Sequence, residues 1–401
     1  MSRAVSAWVT SGEDCLGVLG PFAVDVPWWS EVEPVVAHAR QSLGVDVLVL
    51  RLLSVEGGEG GRDGHVTYHV EALQPPAPGL LAPPPAQQGA LDQPEKLRAP
   101  WARIEEVHDL LGWASDILTA AGRPPTGPVE QRKTWNLAGL FRLPTRQGPV
   151  WLKATPAFAA DEAAIIGAFA DLDPGLVPTV IASGPGRVLM EHLSGEDCWD
   201  ASVETITSAV TRLVAAQAAL AETPGGIPPG LPDRRGPVVA EQVRSLLDGE
   251  VGRELTAEER ASAYDLVDQW PLLAECGLPD TIVHGDFHPG NWRSDGGPPT
   301  VVDFADGHLG NPTLDGARAC AFLPPAKRPA AAQAWIDAWS IHVPGCAPAR
   351  ALALAQPLAH LTYAARYQEF LDGIEPSERI YHLGDPATSI RAALRCPMIL
   401  D

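Results

Sequence analysis

The sequence predicts an α+β fold of two lobes, β-rich then helical, preceded by a small α/β cap. Three observations carry that expectation. Short strand-like runs crowd the stretch 130–191, apolar residues at helical spacing dominate from Ser202 onward, and a Pro/Ala/Gly-rich segment sets residues 1–73 apart. The expected division is a cap over 1–73, a linker over 74–98, a β-rich lobe over 99–192 and a helical lobe over 193–401.

Each element has its own local reason. Ser30 with Glu33 three residues on forms a capping box for a helix running to Gly44. "VDVLVLRLL" then reads as a buried strand, and "HVTYHVEAL", beyond a glycine-rich turn, alternates as its hairpin partner. The linker "QPPAPGLLAPPPAQQGALDQP" is expected to be extended and mobile. Past it, Ile104, Val107, Leu110, Ala114 and Leu118 recur at helical spacing, stopping at Gly122 before Pro124. "TWNLAGLFRLP" and "GPVWLKA" are two strand-like runs joined by a turn, followed by a helix from Ala159 to near Asp173. "GRVLMEHLSGED" is a short strand leading into a glycine-containing connection, and Ser202 to Glu222 is a long Ala-rich helix.

Composition narrows the function classes. Apolar content of 45% and charged content of 20% are those of an ordinary globular protein. No window holds eighteen uninterrupted apolar residues, so no membrane span is expected. The first residues lack the apolar core and cleavage site of a secretory signal. Six scattered cysteines without a CxxC pair argue against a disulfide framework or structural zinc, and fit reduced thiols in the cytoplasm. Net charge is −21, which repels a phosphate backbone, so nucleic acid is not an expected partner. The surplus acids serve solubility, or some of them line a pocket for a cationic small molecule. Lysine occurs only at 96, 133, 153 and 327, which makes a lysine inside an apolar strand conspicuous.

The stretch "TIVHGDFHPGNW" (281–292) concentrates polar chemistry after an apolar run. His284, Asp286 and His288 at alternate positions have the types of metal ligands, though no second cluster of similar density accompanies them. A nucleophile site would need a Ser or Cys elbow, and no G-x-S-x-G occurs. In the third reading Asp286 faces an acceptor hydroxyl while Asn291, five residues on, turns back to hold magnesium. Two distant segments favour it. "TVVDFADGHLGNP" is an apolar strand ending in Asp303, a carboxylate placed to bridge Mg²⁺ between phosphates. "VWLKA" sets Lys153 in an apolar strand, where its amine suits nucleotide phosphates, and Glu162 in the following helix can pair with it.

With these residues in place, the chain from about Val129 onward resembles the aminoglycoside phosphotransferases and related small-molecule kinases of protein-kinase-like bilobal fold. The resemblance is carried by "VWLK", "VLMEHLSGED", "VHGDFHPGN" and "VVDFADGHLGNPTLD". It implies that Asp286 is the catalytic base and that Asn291 and Asp303 ligate Mg²⁺. By the same resemblance Lys153, with Glu162, holds the phosphates of ATP, and backbone groups near Glu191 and Leu193 bond the adenine edge. His284 and Asp315 match positions that brace the loop. The chain also departs from the pattern. No G-x-G-x-x-G covers the phosphates, so Thr134, Asn136 and backbone amides would do that work, leaving ATP or GTP open. The long helix has "LVAAQAAL" where many relatives carry a histidine. The cap matches nothing in the core family, but such caps occur on sugar and amino-sugar kinases.

The expected activity is therefore transfer of the γ-phosphoryl of Mg-ATP to a hydroxyl of a small polar acceptor. Asp306 and His308 are expected to line the acceptor mouth with Tyr367 and Glu369, and a grip by Asp306 or Glu369 on an ammonium would make the acceptor an aminoglycoside or amino sugar. Two other classes compete: an inactive kinase-like binding module using the cap, and a metallohydrolase using His284, Asp286 and His288. The intact Lys153, Asp286, Asn291 and Asp303 set speaks against the first, and weak nucleotide-dependent Mg²⁺ rather than tight zinc would exclude the second.

Overall fold

The computed structural model describes residues 2–84, 91 and 95–396. Two strands absent from the sequence expectation open the chain, β1 (Arg3–Ser11) and β2 (Asp14–Val24), paired antiparallel. Helix α1 (Glu33–Leu43) follows and ends at Gly44 in the left-handed conformation, as expected. The capping box at its start does not form. The N-cap is Val32, and the Glu33 carboxylate is drawn instead to the Arg132 guanidinium. The expected hairpin of β3 (Val47–Glu56) and β4 (His65–Ala72) completes a sheet in the order β2-β1-β4-β3. Val5, Val9, Val35, Val49, Val66 and Tyr68 pack with Trp29 into its core, which Tyr381 joins from far along the chain. Of the linker expected over 74–98, residues 85–90 and 92–94 lie outside the described residues. Ala82 within it exchanges two backbone hydrogen bonds with Val18, and Leu91 is buried.

Helix α2 (Ile104–Ala120) buries the expected stripe of Val107, Leu110, Ala114 and Leu118. A five-stranded sheet follows, built from β5 (Glu130–Trp135), β6 (Ala138–Leu143), β7 (Val150–Ala154), β8 (Val180–Gly184) and β9 (Arg187–Glu191) in the order β5-β6-β7-β9-β8. "TWNLAGLFRLP" is thus not one strand. Trp135 pairs with Ala138, so a tight turn at Asn136 and Leu137 divides it between β5 and β6.

Contacts group the chain into two compact units. The first comprises Met1–Phe158, Ala182–His192 and Phe370–Leu383, and the second comprises Ala159–Ile181, Leu193–Glu369 and Gly384–Asp401. Within the first, the Gln131 side chain bonds both the N–H and the carbonyl of Val49, at 2.8 and 2.7 Å, tying β5 to β3. The segment 370–383 is fastened to β3 as well. Glu375 accepts from Arg51 (2.9 Å) and Arg98 (3.3 Å), and Glu378 accepts from the Leu52 N–H (2.9 Å). Burial pushes the Glu378 carboxyl up to about 8.

The second unit is mostly helical. Asp161 caps α3 (Glu162–Ala170) by accepting from the Ala164 N–H, and Ser202 caps α4 (Val203–Glu222) as its sequence position predicts. α5 (Gly236–Asp248), α6 (Glu250–Glu254), α7 (Ala257–Val267) and α8 (Trp270–Ala274) follow. α9 (Thr313–Phe322), α10 (Arg328–His342), α11 (Pro348–Gly373), whose last turn belongs to the first unit, and α12 (Asp385–Arg395) close the chain. Among them lie β10 (Glu196–Asp197), β11 (Thr281–Val283), β12 (Trp292–Ser294), β13 (Thr300–Val301) and β14 (His308–Gly310). The strand expected to end in Asp303 is therefore shorter than its apolar run. Among the described residues no helix is long and apolar enough to cross a membrane.

Candidate active site

Two small ladders shape the loop between β11 and β12. β11 pairs with β14, opposing Val283 to His308, and β12 pairs with β13, opposing Trp292 to Val301. Residues 284–291 and 302–307 are thereby held side by side, and the Val302 N–H donates to the Asn291 carbonyl at 2.8 Å. Gly285 allows the closest approach. Its φ is +87°, and a Cβ there would lie 2.3 Å from the Asp306 carbonyl oxygen.

Buried groups fix the loop from below. Asp315, only 1% exposed, accepts from the backbone N–H of His284 (2.8 Å) and Gly285 (3.0 Å) and from Gln217 Nε2 (2.8 Å). Burial pushes its carboxyl up, and these donors oppose the rise. Gln217 belongs to the "LVAAQAAL" run and also donates to the Ile282 carbonyl at 2.9 Å, so this residue braces β11 directly. His284 Nδ1 accepts the Asp286 N–H (3.1 Å), which leaves its Nε2–H for the Val302 carbonyl (3.0 Å). His288 Nδ1 accepts the Gly290 N–H (3.0 Å), which leaves its Nε2–H for Asp286 Oδ2 (3.2 Å). All four ring nitrogens serve the loop itself, an arrangement unsuited to zinc ligation.

Asp286 is the focus of these bonds. Its Oδ2 also accepts from Asn291 Nδ2 (3.1 Å), and its Oδ1 accepts two bonds from Arg318, Nε at 2.9 Å and Nη2 at 2.7 Å. Burial works to raise this carboxyl, but the His288 hydrogen bond and the Arg318 charge outweigh it and hold it well below the usual carboxylate range. Arg318 lies between two aromatic faces, 4.2 Å from the Phe322 ring centroid and 4.5 Å from that of Tyr363. Sequence reasoning missed it, because it stands on α9, 32 residues downstream of Asp286, in a run without a motif.

Asn291 donates its amide N–H to Asp286 and so turns its Oδ1 the other way. Asp303 adopts φ +69°, an uncommon conformation for a residue with a Cβ. The next residue, Phe304, donates its N–H to Glu162 Oε1 at 3.0 Å, so buried Glu162 anchors the turn that carries Asp303. An amide oxygen and a carboxylate are the hard oxygen donors that suit Mg²⁺.

The nucleotide-side residues divide between the units. In the first, Lys153 is 7% exposed near the end of β7, opposite Leu140 of β6 and Val188 of β9. Thr134 is turned inward, its hydroxyl accepting from Gln131 Nε2 at 3.1 Å. Asn136, at the β5–β6 turn, is 4% exposed and neither atom of its amide has a partner among the described residues. Such an orphaned amide is a hydrogen-bonding group held ready for a ligand or a water. Glu191, at the end of β9, forms a two-bond pair with Arg123, which holds its carboxyl low. Leu193 and Glu162 belong to the second unit.

The acceptor-side expectations change most. His308 is 3% exposed. Its Nδ1–H donates to the Asp306 carbonyl, and burial pushes the imidazole down to about 3, so it is a neutral core group and not part of an open mouth. Asp306 Oδ1 accepts from Arg366 Nε (2.9 Å) and Nη2 (2.5 Å). Glu369 Oε2 accepts from Arg366 Nη1 (2.8 Å) and Arg234 Nη2 (2.6 Å), and those charges hold its carboxyl low against burial. The two acids expected to grip an ammonium are thus engaged by arginines that sequence reasoning did not single out. Tyr367 is half-buried, its phenol pushed up by burial.

Comparison with known proteins identifies the family. The APH phosphotransferase enzyme family model matches residues 141–352, more than half of the chain. Among curated proteins none matches. The structure of a choline kinase, LicA, from Streptococcus pneumoniae is similar with a TM-score of 0.53 at 13% identity, covering 72% of this chain and 99% of that one. The structure of a protein assigned as a fructosamine-3-kinase from Thermobifida fusca is similar with a TM-score of 0.51 at 21% identity, covering 70% and 98%. These likenesses show the fold, while the family model spans the loop, its braces and Asp303. The chain belongs to the APH phosphotransferase enzyme family and is a small-molecule kinase of protein-kinase-like fold, with an additional N-terminal sheet ahead of the matched region.

Proposed function

We propose that the chain transfers the γ-phosphoryl of Mg-ATP to a hydroxyl of a small polar acceptor, with Asp286 as the group that receives and orients that hydroxyl. The observation that carries this reading is the loop itself: Asp286 and Asn291 are hydrogen-bonded to each other, and Asn291 is bonded through its backbone to the residue preceding Asp303. Held ionised, Asp286 accepts the hydroxyl proton as the nucleophilic oxygen attacks, a contribution of about 10²–10⁴ in rate for a positioned base. Arg318 and His288 keep its carboxylate from rotating. Asn291 and Asp303 would hold Mg²⁺, which when bound neutralises charge on the β- and γ-phosphates. Lys153 would contact the nucleotide phosphates, with Thr134, Asn136 and backbone amides of the β5–β6 hairpin beside it, and backbone groups near Glu191 and Leu193 would meet the base. Glu162 serves by anchoring Phe304 and so the Asp303 turn. The six free cysteines support a reducing cytoplasmic setting.

The test is ADP release with Mg-ATP against neutral sugars, amino sugars and aminoglycosides, with Asp286→Asn as control. Acceptor-dependent turnover lost in the variant supports the reading. Turnover unchanged in the variant would refute the role of Asp286.

A further inference from the structure

The acceptor side of the site carries its own cations. In the second unit three carboxylates are met by arginines: Asp286 and Asp306 by two-bond forks from Arg318 and Arg366, and Glu369 by one bond each from Arg366 and Arg234. The guanidinium side chains are 17%, 10% and 5% exposed for Arg318, Arg366 and Arg234, against 27%, 31% and 38% for Asp286, Asp306 and Glu369, so the arginines are fixed in the wall while each acid keeps an open edge. A carboxylate beside aromatic faces is what protein sites use to hold an ammonium group. Here the space between the Phe322 and Tyr363 rings, directly against Asp286, is filled by Arg318. An incoming ammonium would have to share each carboxylate with a fixed guanidinium of the same sign, and like charges at close range in a partly enclosed site repel.

A different surface is open next to the same carboxylate. The His288 ring, bonded to Asp286 through Nε2, stacks on both Trp199 and Phe322, with centroids 5.3 and 4.8 Å away, and those two rings meet each other at 6.2 Å. Trp199 and Phe322 are 41% and 39% exposed as residues. Trp199 is held there by close packing on the loop, since a Cβ at Gly290 would lie 2.6 Å from its ring. Aromatic faces of this kind can bury the apolar face of a sugar ring, and the cation contact that Phe322 would otherwise offer beside Asp286 is already made by Arg318.

We propose that the acceptor is an uncharged polyol, a neutral sugar or cyclitol, whose ring rests against Trp199 and Phe322 while a hydroxyl reaches Asp286, with Arg318, Arg366 and Arg234 occupying the places an amine would take. This rests on the kinase reading above. It replaces the cationic acceptor that the acidic sequence leads one to expect.

The experiment is ADP release by the full chain with Mg-ATP at pH 7 on matched pairs: D-glucose with D-glucosamine, and myo-inositol with 2-deoxystreptamine. The expected result is kcat/KM at least about tenfold higher for the neutral member of any pair that is turned over. Arg366→Gln, which releases Asp306 and leaves Glu369 to Arg234 alone, should narrow that ratio by improving KM for the amine, while Trp199→Ala raises KM for the neutral member with less change in kcat. The parent enzyme alone decides the matter if Arg366→Gln does not fold. An amine turned over as well as or better than its neutral partner overturns the inference and leaves the kinase reading standing. No ADP release with any pair overturns the kinase reading, and this inference with it.

Discussion

Replacing Arg318 by methionine isolates what the guanidinium does for Asp286, because methionine keeps an unbranched apolar stem between Phe322 and Tyr363. Two charge-assisted bonds, at 2.9 and 2.7 Å, are lost. Removing one partner of a buried ion pair costs about 3–5 kcal/mol. The Asp286 side chain is 27% exposed and keeps its bonds to His288 and Asn291, so the loss here is reduced to about 2–3 kcal/mol. If most of that falls on the orientation of the carboxylate in the transition state, kcat drops by roughly 30–100-fold, at about 1.36 kcal/mol per factor of ten. KM for the acceptor should change far less, since Arg318 is a positioning residue, and Arg318→Lys, which keeps the charge without the fork, should fall between parent and R318M. Steady-state kinetics with the best acceptor of the panel, together with a urea midpoint, reads all of this. A kcat for R318M within twofold of the parent, in a protein that remains folded, would refute the claim that the fork fixes Asp286.

Four further outcomes are expected. Asp303→Ala should abolish turnover through lost Mg²⁺, seen as a changed Mg²⁺ dependence of nucleotide binding; full turnover with that dependence intact would contradict the metal role. Asp315→Ala strands three donors at about 1–3 kcal/mol for a buried unsatisfied group, so a loss of about 3–5 kcal/mol is expected in urea denaturation, and a change below about 0.5 kcal/mol would count against the brace. Gly285→Ala should cost both stability and kcat, because the added methyl meets the Asp306 carbonyl and the backbone is left-handed. Glu378 carries a pH prediction. Its folded carboxyl lies at about 8, above its value of 4.5 when solvated, chiefly through burial. Between those values the folded state binds one more proton than the unfolded state, so its contribution to stability is fully present below about 4.5 and is lost as pH rises through about 8. Glu378→Gln should flatten that alkaline decline in a series of thermal melts from pH 5 to 9, and an unchanged slope would show that Glu378 does not cause it.

What could be read from the sequence follows from how local each signal is. Asp286, Asn291 and Asp303 were legible because short spacings carry them, and the helix from Ser202 was legible because its cap and its period lie in one stretch. β1 was not, since it is paired on both sides, antiparallel to β2 and parallel to β4, and buries most of its residues without a clean alternation. The Ser30–Glu33 capping box failed because a tertiary partner, Arg132, outcompeted the local bond for the same carboxylate. The arginine forks were invisible for the same reason at longer range: Arg366 lies 60 residues from Asp306, and Arg234 lies 135 from Glu369. A charge count reports the acids of this chain but not which of them are already neutralised.

The most direct test of the central claim is ³¹P NMR of the full chain with Mg-ATP and the pooled acceptors, run beside Asp286→Asn. Phosphoryl transfer predicts that the γ-phosphate signal is replaced by a phosphomonoester resonance in step with ADP, and that this resonance is missing with the variant. Conversion of ATP to ADP and inorganic phosphate alone, or an equal phosphomonoester signal from both proteins, would contradict it.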